Sequence, residues 1–403
     1  MEKVFIVAAK RTALGSFGGS LKDVPAGELG AVAIKAAVEA AGIDVNHIDE
    51  VIMGNVVGAG QGMNVGRQAS IKAGIPFSVP AYSINMVCGS GMKAVMDGMS
   101  HIRSGDAKVI VAGGVEVMSA IPYAISGSIR NGHKMGHTQM TDLMINDGLT
   151  DVFNQYHMGV TAENVAKEVG ISREEQDQFA AASQNKAVAA VESGRFKDEI
   201  VPVEIKVRRE TVLFDTDEYP KANTTSETLA RLRPAFDKEG TVTAGNASGI
   251  NDGASVVILA SEQAVKDYHL TPLVEVVAYA QAGVDPKVMG LGPVGAVTKA
   301  LEKAQLKITD IDLFELNEAF AAQALGVVKQ LAQIHKVQPG AILDKANVNG
   351  GAIALGHPLG ASGNRILVSL IYEMQKRSDQ YGVASLCVGG GMGTAVVVKA
   401  IKS

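Results

Sequence analysis

The sequence predicts an α/β protein built on a mainly parallel sheet with helices on both faces. Apolar runs of strand length alternate with helix-length amphipathic stretches, the spacing of βαβ units. Hydrophobic residues make up 47% of the chain and aromatic residues 4%, with no Trp and 45 Gly, so small aliphatic side chains must build the interior. The 403 residues exceed one ordinary core and predict two or three domains.

The elements follow in order. Val4 to Ala8 reads as a buried strand. "ELGAVAIKAAVEAAG" reads as a helix with Leu29, Val32, Ala33, Ala36, Ala37 and Ala40 on one face and Gly42 as its stop. "EVIMGNVV" and "AYSINMV" are strands, and from Gly89 the residues Met92, Val95, Met96 and Met99 recur at helical spacing. "AKVIVAGGVEVM" is again β. Residues 119 to 247 break the rhythm with scattered Gly, His and Asp, a polar helix from Arg173 to Ser193, and the turn-rich "FDTDEYPKANTTSET", and read as a large insertion. Regular character returns with "NDGASVVILAS", "ITDIDLFEL", the helix "NEAFAAQALGVVKQLAQ" and the helix after "GASGN". "GVASLCV" and "TAVVVKAI", joined by "GGGMG", read as a closing hairpin. Each half carries a strand-Cys-Gly segment, a weak echo that a duplicated unit would explain.

A net charge of -5 offers no overall positive field for nucleic acid or anionic membrane. The opening "MEKVFIVAAKRT" has too short an apolar run for an export signal, and no stretch approaches the roughly 20 apolar residues of a membrane span. With two Cys and no export signal, the expected compartment is the reducing cytoplasm, with both thiols free for chemistry. No Cys or His spacing matches a metal site, and "GNVVGAGQGMN" lacks the strand-to-helix G-x-G-x-x-G of a dinucleotide loop.

Four segments carry candidate chemistry, each with a plain structural alternative. In "NMVCGSGMKAV", Cys88 sits at a strand end before a helix, where N–H groups and the helix dipole favour a thiolate; a lone Cys is otherwise a small buried hydrophobe. In "LCVGGGMG", Cys387 precedes a glycine run that can aim N–H groups at an oxyanion or simply turn a hairpin. In "NVNGGAIALGHPLGASG", His357 lies ahead of a helix whose Ile366, Leu367, Leu370, Ile371 and Met374 face a core, placed as base, donor or structural group. In "ELNEAFAAQA", Asn317 reads in isolation as an N-cap.

Together, and in this order, these blocks resemble the signature segments of the thiolase family, specifically its acetyl-CoA acetyltransferases. "RTALGSFGG" and "GNASGINDGA" match as well, so the resemblance spans nearly the whole chain. It implies duplicated α/β halves in a five-layer α-β-α-β-α arrangement: 1 to 118 plus 248 to 270, an inserted loop domain at 119 to 247, and 271 to 403. It implies that Cys88 becomes acylated, that His357 draws its proton, and that Cys387 is the acid/base. The first oxyanion would then meet the N–H groups of Cys88 and Gly389, and the enolate oxygen His357 with a water held by Asn317. CoA contacts carried over in the same way are His157, Met158, Lys221, Thr228, Arg231, Phe236, Ser248 and Phe320, with Met158 narrowing the acyl pocket and Arg233 beside the nucleotide stretch. The implied reaction joins two acetyl-CoA into acetoacetyl-CoA and CoA; the CoA thioesters are substrates, no metal or redox cofactor is required, and a homotetramer is expected.

Three other readings compete with this one. A longer-chain 3-ketoacyl-CoA thiolase differs in the acyl pocket, where His157 and Met158 favour the short-chain form. A β-ketoacyl synthase would use a Cys with two His and would lack a thiol where this chain has Cys387. A non-catalytic lipid-binding relative would tolerate loss of Cys88, His357 or Cys387, and all three are present.

Overall fold

The computed structural model describes residues 2–401. Nine strands form the main path of its large sheet: β1 (Val4–Thr12), β2 (Glu50–Gly54), β3 (Ala81–Ile84), β4 (Val109–Val117), β5 (Asn251–Ser261), β6 (Val274–Gly283), β7 (Leu313–Leu316), β8 (Tyr381–Val388) and β9 (Met392–Ala400). Their order divides into two similar runs, β1-β5-β4-β2-β3 and β6-β9-β8-β7. In the second run a parallel bridge from Phe314 to Ala346 lies where β3 lies in the first. Among the described residues, only Phe5–Glu275 and Ile6–Val274 pair across the halves. The repeat is therefore one of topology. The Cys-Gly echo is not part of it, because Cys88 precedes a helix whereas Cys387 lies within β8.

The sheet is mixed, which corrects the expectation of a mainly parallel one. β2 pairs in parallel with β3 and β4, and β7 with β8. The five other ladders of the path, β1–β5, β5–β4, β1–β6, β6–β9 and β8–β9, are antiparallel. Strands buried on both faces read as continuous apolar runs in either direction, so their composition carries no sign of orientation.

The helices that matter to the site are α1 (Ala26–Ala41), α2 (Val65–Lys72), α3 (Ser90–Ser104), α4 (Met158–Val169), α5 (Arg173–Glu192), α6 (Ser226–Ala230), α7 (Gly292–Ala304), α8 (Ala321–His335) and α9 (Leu359–Arg377). α1 and α2 cover the first half's sheet on one face, and α3 and α9 pack on its other face. α9 also packs on β7 and β8, while α7 and α8 cover the far side of the second half. Five layers result, with α3 and α9 in the middle. Every residue of α9 from Leu359 to Ile371 is buried, the pattern of a helix enclosed on all sides. α1 is one-sided: it buries Leu29, Ala33, Ile34 and Ala37, while Ala40, expected on that face, is exposed.

Arg11 of "RTALGSFGG" is held by residues far along the chain. Arg11 is fully buried; its Nε donates to Glu199 Oε1 at 2.6 Å, and Nη1 and Nη2 donate to the two Asp217 oxygens at 2.8 and 2.9 Å. The guanidinium thus ties β1 to two distant points of segment 119–247. Arg11→Met would leave two buried carboxylates uncompensated, at a cost of about 3–5 kcal/mol. Urea unfolding is the measurement. A variant within about 0.5 kcal/mol of wild type, the range of an ordinary surface change, would refute the tie.

Candidate active site

α3 and α9 bring Cys88 and His357 to one end of the central layer. Their first turns touch: a β-carbon at Gly91 would lie 2.8 Å from Gly360 O, and one at Gly363 would lie 2.7 Å from Met92 N. Only glycine permits that approach. Cys88 stands three residues before Gly91 and His357 three before Gly360.

The turn that presents Cys88 is strained. Val87 has φ of 45°, a value that costs a β-branched residue about 1–3 kcal/mol. Its neighbours hold it there: Val87 N–H donates to Asn85 Oδ1, Met86 N–H donates to Ser90 Oγ, and Ser90 Oγ donates to Val87 O. The sharp strand-to-helix turn presents the buried sulfur at the head of α3, much as a nucleophile elbow presents a serine.

The β8–β9 hairpin supplies the opposite wall. Val388 and Met392 pair across a three-glycine loop in which Gly390 and Gly391 have φ of 88° and 89°. Gly389 N–H lies close enough to favour a Cys88 thiolate, and Cys387, two residues earlier and fully buried, lies near enough for a charged Cys88 to disfavour its ionisation. Burial pushes the Cys88 thiol up to about 11, against the opposing pull of the Gly389 and Cys88 N–H groups. The expected pull toward a thiolate at the head of α3 meets an opposing force: burial outweighs the two N–H groups. Burial, then the neighbouring Cys88, raises Cys387 further.

His357 is buried, and desolvation, with the Arg365 charge second, pushes it down to about 4. The ring is a neutral proton acceptor at pH 7. Among the described residues its Nε2 has no hydrogen-bond partner, and neither end of the Asn317 amide has one. Orphaned polar atoms in a buried site are rare and mark a place for ligand atoms. Asn317 is not an N-cap: α8 begins at Ala321 after Phe320, and Asn317 is held by its N–H to Ser385 O, two residues before Cys387.

Around Cys387 lies an apolar cluster that includes Met158, Ala247, Met289, Ala319 and Phe320, with Phe236 packed against it. The His157 ring stacks on Phe236 at 4.6 Å, and Phe320 meets Phe236 edge-on at 6.3 Å. Met158 flanks Gly389, where a β-carbon would lie 3.4 Å from Met158 Cε. Ser248 is half-buried beside them, its N–H bonded to Ala319 O. Lys221, Thr228 and Arg231 are exposed around α6, outside this cluster. Thr228 Oγ1 accepts from Thr225 N–H in the helix's capping box and donates to Thr225 O, and neither Lys221 nor Arg231 forms an ion pair among the described residues.

Sequence reasoning missed Glu116. It is fully buried in β4, accepts from the N–H groups of Val56, Val57 and Gly360, and so pins the head of α9 to the loop after β2. Burial raises it to about 7 against those three bonds. A lone acid inside the apolar "VIVAGGVEVM" was the available signal. A cavity of about 530 Å³ between α5, α8 and residues 343–347 lies away from both thiols.

The N-terminal thiolase domain profile matches residues 4–263 and the C-terminal thiolase domain profile residues 270–400. The chain is 57% identical over 400 residues to the acetyl-CoA acetyltransferase of Cupriavidus necator, covering 99% of this chain and 100% of that one. Its structure superposes on the Bacillus anthracis acetyl-CoA acetyltransferase with a TM-score of 0.94 at 46% identity, covering 100% of this chain and 99% of that one. For human mitochondrial 3-ketoacyl-CoA thiolase in complex with CoA, the TM-score is 0.92 at 44% identity, with 100% and 98% covered. With both domain profiles in register along a shared fold, the chain belongs to the thiolase family.

Proposed function

We propose that this chain is an acetyl-CoA C-acetyltransferase, condensing two acetyl-CoA reversibly into acetoacetyl-CoA and CoA through an acetyl-Cys88 intermediate. The observation that carries the reading is one buried thiol meeting a glycine-loop N–H while a second buried thiol stands two residues from that loop glycine. A thioester carbonyl gains little resonance from sulfur, so it is both a good acyl donor and a carbon acid, and thiolates serve both halves.

His357 Nε2 takes the Cys88 proton as the sulfur attacks the first acetyl-CoA. The Cys88 and Gly389 N–H groups stabilise the oxyanion, each such donor contributing about 2.7–4 kcal/mol. CoA leaves with a proton from Cys387. The Cys387 thiolate then removes an α-proton from the second acetyl-CoA, and His357, still holding the first proton, donates to the enolate oxygen together with a water held by Asn317. The enolate carbon attacks acetyl-Cys88, and the released thiolate recovers its proton from His357. Every proton is returned and no metal or redox cofactor is required.

His157, Met158, Phe236, Phe320 and Ser248 are assigned to the acyl and pantetheine chain, and Lys221, Thr228 and Arg231 to the nucleotide, whose phosphates suit exposed unpaired cations. Met158 beside Gly389 shortens the acyl pocket. CoA-dependent cleavage of acetoacetyl-CoA, read by loss of its enolate absorbance, should exceed that of 3-ketohexadecanoyl-CoA by about 10- to 200-fold in kcat/KM. Met158→Ala should narrow the gap. The reverse preference would favour a longer-chain 3-ketoacyl-CoA thiolase.

A homotetramer fits the arm at residues 123–142, which exposes Tyr123, Ile125, Ile129, Met135 and Met140. Among the described residues no helix is long and apolar enough to cross a membrane. A cytoplasmic setting suits two free buried thiols.

A further inference from the structure

His357 is a neutral imidazole, and a neutral imidazole carries one proton on one of two nitrogens. Two hydrogen bonds bear on which. His357 Nδ1 lies 2.6 Å from Ser362 Oγ, and Ser362 Oγ donates to Pro358 O at 2.9 Å. A serine hydroxyl has a single proton. With that proton on Pro358 O, Ser362 Oγ receives a hydrogen from Nδ1, and Nε2 is left as a bare lone pair. The opposite arrangement, with Ser362 donating to Nδ1, would bury an N–H at Nε2 where the described residues offer no acceptor. An orphaned N–H is among the rarest and costliest features of a protein interior.

The surroundings hold the ring in place for this choice. His357 N–H donates to Asn251 Oδ1 at 3.1 Å, and Asn251 Nδ2 donates to Gly15 O at 3.0 Å, so "NDGA" and "RTALGSFGG" anchor the loop. Ser362 lies in the first turn of α9, its side chain 1% exposed. The second imidazole near the site is set the other way. His157 Nδ1 accepts from Gly159 N–H at 3.0 Å, so neutral His157 carries its hydrogen on Nε2.

We infer that Ser362 is a positioning residue that fixes the Nδ1–H tautomer of His357. Nε2 is then the only place on the ring where a proton is taken up, and the same atom hands it on once loaded. This rests on the thiolase reading for its purpose. One imidazole serves two half-reactions: it enters the first as acceptor at Nε2 and the second as donor at Nε2, without turning. A ring in the other tautomer would meet the Cys88 thiol with an N–H and leave its proton without a destination.

Neutron diffraction from deuterated crystals reads the tautomer without reference to activity. Deuterium on Nδ1, none on Nε2, and the Ser362 hydroxyl directed at Pro358 O are expected; deuterium on Nε2 with bare Nδ1 overturns the proposal. In single-turnover acetylation followed by mass spectrometry, Ser362→Ala should slow acetyl transfer about 10- to 100-fold, the usual effect of losing an orienting partner, with little change in KM for acetyl-CoA. Ser362→Thr keeps the hydroxyl and should recover most of that rate. Acetylation at the wild-type rate by the alanine variant also overturns it. Should Ser362→Ala fail to fold, the threonine variant and the neutron map decide. A chain with deuterium on Nδ1 that never acetylates Cys88 would keep the tautomer and remove the thiolase reading.

Discussion

Cys88→Ala is expected to abolish the acetyl-enzyme: intact-mass spectrometry after mixing with acetyl-CoA should find one acetyl group on the wild-type chain and none on the variant. The loss in turnover should be about 10⁶-fold, the scale set by removing a covalent nucleophile. No other side chain can substitute, because Cys387 is deeper, has a still weaker acid thiol, and no Gly389 N–H reaches it. Iodoacetamide should modify Cys88 first and acetyl-CoA should protect it. The pH dependence follows in sign. The reactive form is the thiolate, and burial places the Cys88 thiol at about 11, so the alkylation rate should climb steadily from pH 6 to 10. An acetyl group found on Cys387 in the variant would sink the assignment.

The strands, the helices and the closing hairpin were legible because their apolar periods are local properties of the chain. Strand direction was not, since Asn251–Ser261 returns beside β1 after a long excursion and nothing in its composition records the orientation. "NEAFAAQA" has the look of a helix from its first residue, yet the helix waits until Ala321, and Phe320 is extended with φ of −147°. Two tertiary contacts hold it so: the Ala247–Phe320 bridge and the Ser248 N–H to Ala319 O bond. That extension places Asn317 beside β8 rather than on a helix. The thiol at position 88 shows the same division. Its place before α3 is local and was read correctly, whereas its ionisation depends on what the second half of the chain lays over it. The strain at Val87 and the clamp made by Glu116 likewise exist only in three dimensions. Ser362 was in view inside "GASG", but its partner atom lies on a ring whose orientation only the fold decides.

Cys387→Ser is expected to separate the two half-reactions. Serine keeps the volume and a hydrogen-bonding group, so Cys88 should still be acetylated, more slowly because the departing CoA thiolate lacks a matched proton donor. Condensation should fall about 10²- to 10⁴-fold, the range for loss of a general acid–base. A serine hydroxyl is too weak an acid to be ionised in this site, so the α-proton of the second acetyl-CoA has no acceptor. The thiol's own position argues for the role: burial and Cys88 hold it well above an ordinary cysteine, and a thiol so reluctant to ionise yields a strongly basic thiolate, the property α-proton removal demands. Rapid-quench mass spectrometry should find acetyl-Cys88 accumulating in the variant while acetoacetyl-CoA formation lags. Exchange of solvent deuterium into the acetyl methyl group should fall in parallel with condensation. A variant that condenses at the wild-type rate, or that loses acetylation and condensation together by the same factor, would move the acid–base role away from Cys387.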